Sequence, residues 1–237
     1  SMSRPRPPAG ARNDVFIHRS VLLHSVEQED DGYPSERGVK MAPAGDAGRW
    51  MLFVDGENVT IRGQQLAEAR SVVLAEGPYY QRDVFLWLNL KYHATIGIRR
   101  WLGQVGVQEA AVRAFYCTSQ VGDTDALNRT KEALWTIGFS AQVFKKPRRQ
   151  SKAKGVDIAL TKDLLSNAFL DNYDIAVVLT GDADYEPVIS EVKRLGKRVC
   201  LMGFTEAGAN ISLDLKLSAD YFIPVDPFFL ANWPSQP

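Results

Sequence analysis

The chain has 237 residues, 45% of them hydrophobic, and its 28 lysines and arginines balance 28 aspartates and glutamates to a formal net charge of zero. That length and apolar content allow a sizeable core and exclude a short scaffold stapled by disulfides. The charge balance removes any argument for a polyanionic partner from global charge. The two cysteines, Cys117 and Cys200, lie at or in apolar runs without Cys-x-x-C spacing, so neither a zinc framework nor a disulfide framework is expected. A reduced intracellular compartment, the cytoplasm, is the expected setting. No apolar run nears the roughly 20 residues needed to cross a bilayer, and Ser1-Met2-Ser3-Arg4-Pro5 lacks a secretory apolar stretch, so no membrane is expected among the partners.

Residues 1–48 are rich in Pro, Arg, Gly and acidic side chains, with one short apolar patch at Val21-Leu22-Leu23, and read as a flexible arm. The folded domain is expected over 49–223 and a C-terminal tail over 224–237. Met51 to Val54 reads as a buried strand and Asn58 to Ala75 as a helix with Leu66, Ala69, Val73 and Leu74 on its inner face. Asp83 to Val105 is ambiguous, because Val84-Phe85-Leu86-Trp87-Leu88 suits a strand or a helix; it is taken as a helical insertion. Strand two follows at Val112 to Tyr116, a helix at Asp125 to Ile137 after an Asp123-Thr124 start, and strand three at Phe139 to Phe144. Beyond a basic loop come a helix at Val156 to Phe169, a strand at Ile175 to Leu179, a helix at Pro187 to Leu195 and a strand at Arg198 to Met202. Ser212 to Leu217 reads as a short helix and Tyr221 to Ile223 as a last strand. Phe228, Phe229 and Trp233 of the tail are expected to pack on the domain. The alternation of strands and helices predicts an α/β fold with a central parallel sheet flanked by helices.

Four acidic residues mark strand ends or a helix start: Asp55, Asp157, Asp182 and Asp184. In a doubly wound sheet, ligands collect beyond the carboxyl ends of the strands, where the strand order reverses. With the order 3-2-1-4-5, strands one and four are neighbours there, so Asp55 and Asp182 project into one crevice and Asp157 enters from the helix before strand four. Like charges brought together call for a cation or a proton, which suggests Mg²⁺ or Mn²⁺. Asn58 reaches the same region as a neutral oxygen ligand, and Gly181 is expected to let the backbone turn behind Asp182. Each acid also has a structural reading: Asp55 as a turn former or N-cap, Asp157 as the N-cap of its helix, Asp184 as a cap before Pro187. Asp163 lies about 600° further round the helix from Asp157 and need not face the same ligand. Only His93 falls in the domain, which argues against histidine chemistry, and Asp55-Gly56-Glu57-Asn58 stands where a phosphate-binding glycine loop would follow the first strand.

Lys145, Lys146, Arg148, Arg149, Lys152 and Lys154 form a basic loop directly before Asp157. Alone, such a run reads as a solvated loop; beside an acidic metal pocket it suits the phosphates that flank a scissile phosphodiester. Tyr79, Tyr80, Tyr92 and Trp101 have the chemistry to stack bases, though aromatics in apolar surroundings are more often core.

Phe53-Val54-Asp55-Gly56-Glu57-Asn58, Lys154-Gly155-Val156-Asp157-Ile158-Ala159-Leu160 with Asp163, Thr180-Gly181-Asp182-Ala183-Asp184-Tyr185 with Pro187, and Gly196-Lys197-Arg198-Val199 together resemble the NYN domain in its LabA-like branch, over about residues 50–223. The resemblance implies a PIN-like nuclease fold, a Mg²⁺ or Mn²⁺ site and endonucleolytic action on RNA. It makes Asp55, Asp157 and Asp182 the catalytic, metal-holding positions, with Asn58 and Asp184 in support. Ala183 stands where the family commonly has glycine, and the segment near 77–108 is long, which bears on substrate access. A second reading keeps the fold but makes the chain an RNA-binding or regulatory adaptor, with the arm and the tail as surfaces for protein partners or self-association. A haloacid-dehalogenase-type phosphatase is a poor third, because its nucleophilic Asp would stand two residues before Asp55, where the chain has Phe53.

Overall fold

The computed structural model describes residues 48–88, 98, 111–148, 151, 153, 155–206, 208 and 211–233; the expected N-terminal arm lies outside them. In chain order they form β1 (Trp50–Asp55), α1 (Gly56–Ala69), β2 (Tyr80–Gln81), β3 (Phe85–Leu86), β4 (Arg113–Gln120), α2 (Thr124–Thr136), β5 (Ser140–Lys145), α3 (Val156–Phe169) and β6 (Ile175–Leu179). A 3₁₀ turn (Ala183–Tyr185), α4 (Glu186–Arg194), β7 (Arg198–Gly203), α5 (Leu213–Ser218), β8 (Tyr221–Pro224) and α6 (Asp226–Asn232) follow.

Six strands build one sheet in the order β5-β4-β1-β6-β7-β8, and every neighbouring pair runs parallel. The expected 3-2-1-4-5 core is this order with β8 added beyond β7. Strand order reverses at β1, which has β4 on one side and β6 on the other, so the crevice at its carboxyl end is the switch point of the sheet.

Alternation along β1 supplies both layers. Trp50, Leu52 and Val54 pack into one apolar cluster with Val59 and Leu66 of α1, while Met51 and Phe53 join the other with Leu160 and Leu164 of α3 and Ile189 of α4. Phe53 stacks on Phe115 of β4 with ring centroids 5.3 Å apart. All five residues of β6 are buried, which explains its unbroken apolar run.

The structure differs from the expected elements in three places. Tyr80–Gln81 and Phe85–Leu86 pair as an antiparallel hairpin, not as the start of a helical insertion. The hairpin is tied to β4: Tyr116 Oη accepts from Leu86 N at 3.1 Å and donates to Leu86 O at 3.0 Å, and Thr118 Oγ1 donates to Val84 O at 2.6 Å. The remainder of the expected insertion, including Ile96 to Leu102, lies outside the described residues apart from buried Ile98. Helix α1 stops at Ala69 instead of Ala75, with Ser71 in the left-handed region at φ 52°, and Val73 is solvent-exposed rather than on an inner face. Within the expected tail, α6 is a helix. Its Phe229 is buried against Phe204 (5.7 Å) and Trp233 (5.4 Å). The buried Asp226 carboxylate holds the β7–α5 connection by accepting from Thr205 N and Glu206 N, each at 2.9 Å.

Candidate metal and nucleic-acid site

Asp55 ends β1 and begins α1. Its Oδ1 accepts from Asn58 N at 3.1 Å, the N-cap bond of α1, while Oδ2 accepts from Thr180 Oγ1 at 2.9 Å. The cap reading of Asp55 therefore holds. Pairing of β1 with β6 sets Val54 opposite Leu179, so one step further along the register Asp55 meets Thr180. Thr180 Oγ1 also accepts from Asp182 N at 3.1 Å, which links the ends of the two strands through one hydroxyl.

Asn58 closes the same network: its Oδ1 accepts from Gly181 N at 2.9 Å. A Cβ on Gly181 would stand 3.2 Å from that oxygen, and Gly181 is not among the residues with positive φ. The glycine thus provides room for Asn58, in place of the sharp turn expected from sequence. Asp182 caps the 3₁₀ turn by accepting from Asp184 N at 3.1 Å. Asp184 is exposed, and its backbone, not its carboxylate, makes that bond.

Asp157 lies in the first turn of α3. The N-cap there is Gly155 at φ 122°, without a side-chain cap, so Asp157 is not the cap. The Tyr185 hydroxyl approaches Asp157 Oδ1 at 3.5 Å. Asp163, further along α3, turns to β5 and accepts from Gln142 Nε2 at 2.6 Å, outside the Asp55 network.

Electrostatics brings Asp157 to the two acids that Thr180 links. Asp55 is 3% exposed, and burial pushes its carboxyl up to about 7 against the bonds from Asn58 and Thr180, with Asp157 and Asp182 raising it further. The Tyr185 phenol is held far above its ordinary range by burial, then by the charges of Asp55 and Asp157. One neighbourhood therefore feels carboxylates from β1, α3 and the turn after β6. Among the described residues, no three His, Cys, Asp or Glu side chains are gathered closely enough to form a ready-made metal cage. In kind the donors fit: carboxylates and an amide oxygen are the hard ligands that Mg²⁺ and Mn²⁺ take.

The basic loop divides. Lys145 and Arg148 are exposed at the end of β5 and just beyond it, while Arg149, Lys152 and Lys154 lie outside the described residues. Lys146 corrects the sequence reading: it is 6% exposed, and its Nζ donates to Glu57 Oε1 at 3.1 Å, so its charge meets a protein carboxylate and not a flanking phosphate. Ser119 Oγ donates to the same Glu57 oxygen. Glu57, Ser119 and Thr180 had no role in the sequence reading. Thr180 was findable, since a threonine directly after β6 falls opposite Asp55 once β1 and β6 are placed as neighbours. Of the four candidate stacking aromatics, Tyr80 is buried and Tyr79 about half exposed, while Tyr92 and Trp101 lie outside the described residues.

A six-stranded parallel sheet with acidic residues at its switch point is the α/β architecture of PIN-like domains. The chain belongs to the NYN family: the NYN domain model matches residues 49–226, and NYN is a PIN-like nuclease family. The structure is also similar to the crystal structure of a protein of unknown function from Vibrio parahaemolyticus, with 24% identity and a TM-score of 0.50 over 77% of this chain and 96% of that one. That likeness speaks for the fold alone. No curated protein matches the chain. Among the described residues no helix is long and apolar enough to cross a membrane, and Cys117 and Cys200 are free and buried.

Proposed function

We propose that the protein is a metal-dependent endoribonuclease that hydrolyses RNA phosphodiester bonds at the carboxyl end of β1 and β6. The observation that carries this reading is the placement of Asp55, buried and fixed by Asn58 and Thr180, in the electrostatic reach of Asp157 and Asp182. Asp55, Asp157 and Asp182 would hold Mg²⁺ or Mn²⁺, with Asn58 and Asp184 in support. Such an ion, when bound, lowers the pKa of a bound water and neutralises charge on the phosphate.

The protein's own groups set the stage for that chemistry. Thr180 fixes one oxygen of Asp55 and Asn58 N fixes the other, so Asp55 keeps its orientation whether or not an ion is bound. Lys146 holds Glu57 at the start of α1, next in the chain but one to Asp55. Lys145 and Arg148, both exposed, would attract the RNA backbone, a role shared in this proposal by Arg149, Lys152 and Lys154. RNA over DNA rests on the family likeness.

The test is cleavage of labelled single-stranded RNA, duplex RNA and DNA by wild type and Asp182→Asn with Mg²⁺, Mn²⁺ or chelator. Metal-dependent RNA cleavage that the variant loses supports the proposal. RNA retained in chelator with no cleavage of any substrate in either metal favours the adaptor reading instead.

A further inference from the structure

Of the three acids assigned to the ion, Asp55 is held at both oxygens by Asn58 N and Thr180 Oγ1, and Asp182 Oδ1 accepts from Asp184 N. Asp157 differs from both, because it is solvent-exposed in the first turn of α3. An exposed carboxylate must be ordered before it can serve as a ligand, at a cost in side-chain entropy. The group placed to order it is Tyr185.

Tyr185 ends the 3₁₀ turn and is 1% exposed. Its ring packs in the apolar cluster that holds Phe53 of β1, Leu160 of α3 and Ile189 of α4, a role that phenylalanine would fill as well. The hydroxyl is the part left to explain. Among the described residues it reaches Asp157 Oδ1, at 3.5 Å, and a phenol at neutral pH donates to a carboxylate. That separation exceeds the usual O–H···O range of about 2.5–3.0 Å, but burial favours closing it, since a hydroxyl held away from water needs an acceptor. The other end of the residue is tied to Asp182: Tyr185 N donates to Asp182 O at 3.3 Å, and the Asp182 side chain caps the same turn. One rigid ring thus spans from the turn of Asp182 to the carboxylate on α3.

We infer that Tyr185 is a positioning residue for the metal site: its hydroxyl donates to Asp157 and sets that carboxylate against the turn that carries Asp182. The inference rests on the reading of Asp157 and Asp182 as metal ligands. Ligating carboxylates are themselves hydrogen-bonded, and losing such a partner typically costs about 10–100-fold in metal affinity. Tyr173 supplies a matched control. It is fully buried in the same cluster, and its hydroxyl donates to Leu164 O of α3 at 2.9 Å, but it precedes β6, at the opposite end of the sheet from the acids.

The experiment pairs isothermal titration of Mn²⁺ into wild type, Tyr185→Phe and Tyr173→Phe with urea unfolding, in chelator, of wild type, Tyr185→Phe, Asp157→Ala and the double variant. Circular dichroism confirms the fold of each. Tyr185→Phe should bind Mn²⁺ about tenfold more weakly than wild type, while Tyr173→Phe binds as wild type does, although both variants lose a buried hydroxyl. In chelator, Tyr185→Phe should raise the unfolding constant about fivefold, the net worth of one hydrogen bond, and should not raise it in the Asp157→Ala background. Undiminished Mn²⁺ affinity in Tyr185→Phe, an equal loss in Tyr173→Phe, or an unfolding step that is absent from the wild-type background or persists in Asp157→Ala would overturn the inference. If wild type binds no Mn²⁺ saturably, the metal reading fails and the positioning role with it; saturable binding that Tyr185→Phe leaves intact defeats the positioning role alone.

Discussion

Burial makes Asp55 an expensive carboxylate to ionise at the sheet edge. Folded, it holds its proton up to about pH 7; the ordinary value is 3.8. Between those two values the native state binds a proton that the unfolded chain has given up. The Asp55 contribution to stability is therefore present at low pH and is lost as pH rises through about 4 to 7, by on the order of a few kcal/mol. In chelator, Asp55→Asn should remove this pH dependence and melt above wild type at pH 8, since asparagine is also a good N-cap. Saturating Mg²⁺ or Mn²⁺ should stabilise wild type more than the variant. Thermal melts across pH with and without metal check both, and a wild-type melting temperature that is flat over the window would count against a costly Asp55. Lys146 is a buried cation paired with Glu57. Removing one partner of a buried ion pair costs about 3–5 kcal/mol, so Lys146→Ala should shift the urea midpoint far more than Arg148→Ala, an exposed change worth about 0.5 kcal/mol or less. Similar midpoints for the two variants would contradict the burial of Lys146.

Gly155 decides where α3 begins, and so where Asp157 stands. At φ 122° it occupies backbone space that side chains rarely enter, and a Cβ there would come within 3.2 Å of the Phe144 ring. Gly155→Ala should destabilise the protein by about 1–3 kcal/mol and reduce metal affinity, read by chemical denaturation and metal titration together. The bounds of α3 and β6 were legible in the sequence, as α3 has a helical apolar face and β6 an unbroken apolar run. The hairpin was not: β2 and β3 are two residues each, and their conformation depends on bonds from Tyr116 and Thr118 of β4, about 30 residues away in the chain. Local periodicity in Val84–Leu88 holds no trace of those partners. Asp55 and Asp182 were legible as strand ends, because parallel sheets present their carboxyl edges together, and Asp157 as a helix start. The burial of Lys146 was hidden, since a lysine within a basic run looks solvated until Glu57, 89 positions earlier, is folded against it.

The described fold continues past the last strand of the sheet. The family match ends at residue 226, yet α6 follows directly and places Phe229 in the same apolar cluster as Trp50, Leu66 and Phe204. Phe229→Ala should therefore cost about 3–5 kcal/mol, as for other buried aromatics cut to alanine, measured by urea unfolding; a loss below about 1 kcal/mol would make α6 an ornament on the domain. At the other edge of the structure, Arg49 ties the entry to β1 to the entry to β6: its backbone N donates to Asp174 Oδ2 at 2.7 Å and its Nη2 to Oδ1 at 3.0 Å. The Asp174 carboxyl is held below its ordinary value, burial being outweighed by the bonds from Arg49. This clasp sets β1 and β6 in register at their start, and the register delivers Asp55 to Thr180 at their end.

In the proposed function Asp55, Asp157 and Asp182 serve one divalent-metal site. Isothermal titration of Mn²⁺ into wild type and into Asp55→Asn, Asp157→Asn and Asp182→Asn tests it most directly. Wild type should bind saturably, and each of the three variants should lose about tenfold or more in affinity, the usual scale for removing or disorienting a group at a metal site. Binding of undiminished affinity in any one of the three folded variants would contradict a shared site.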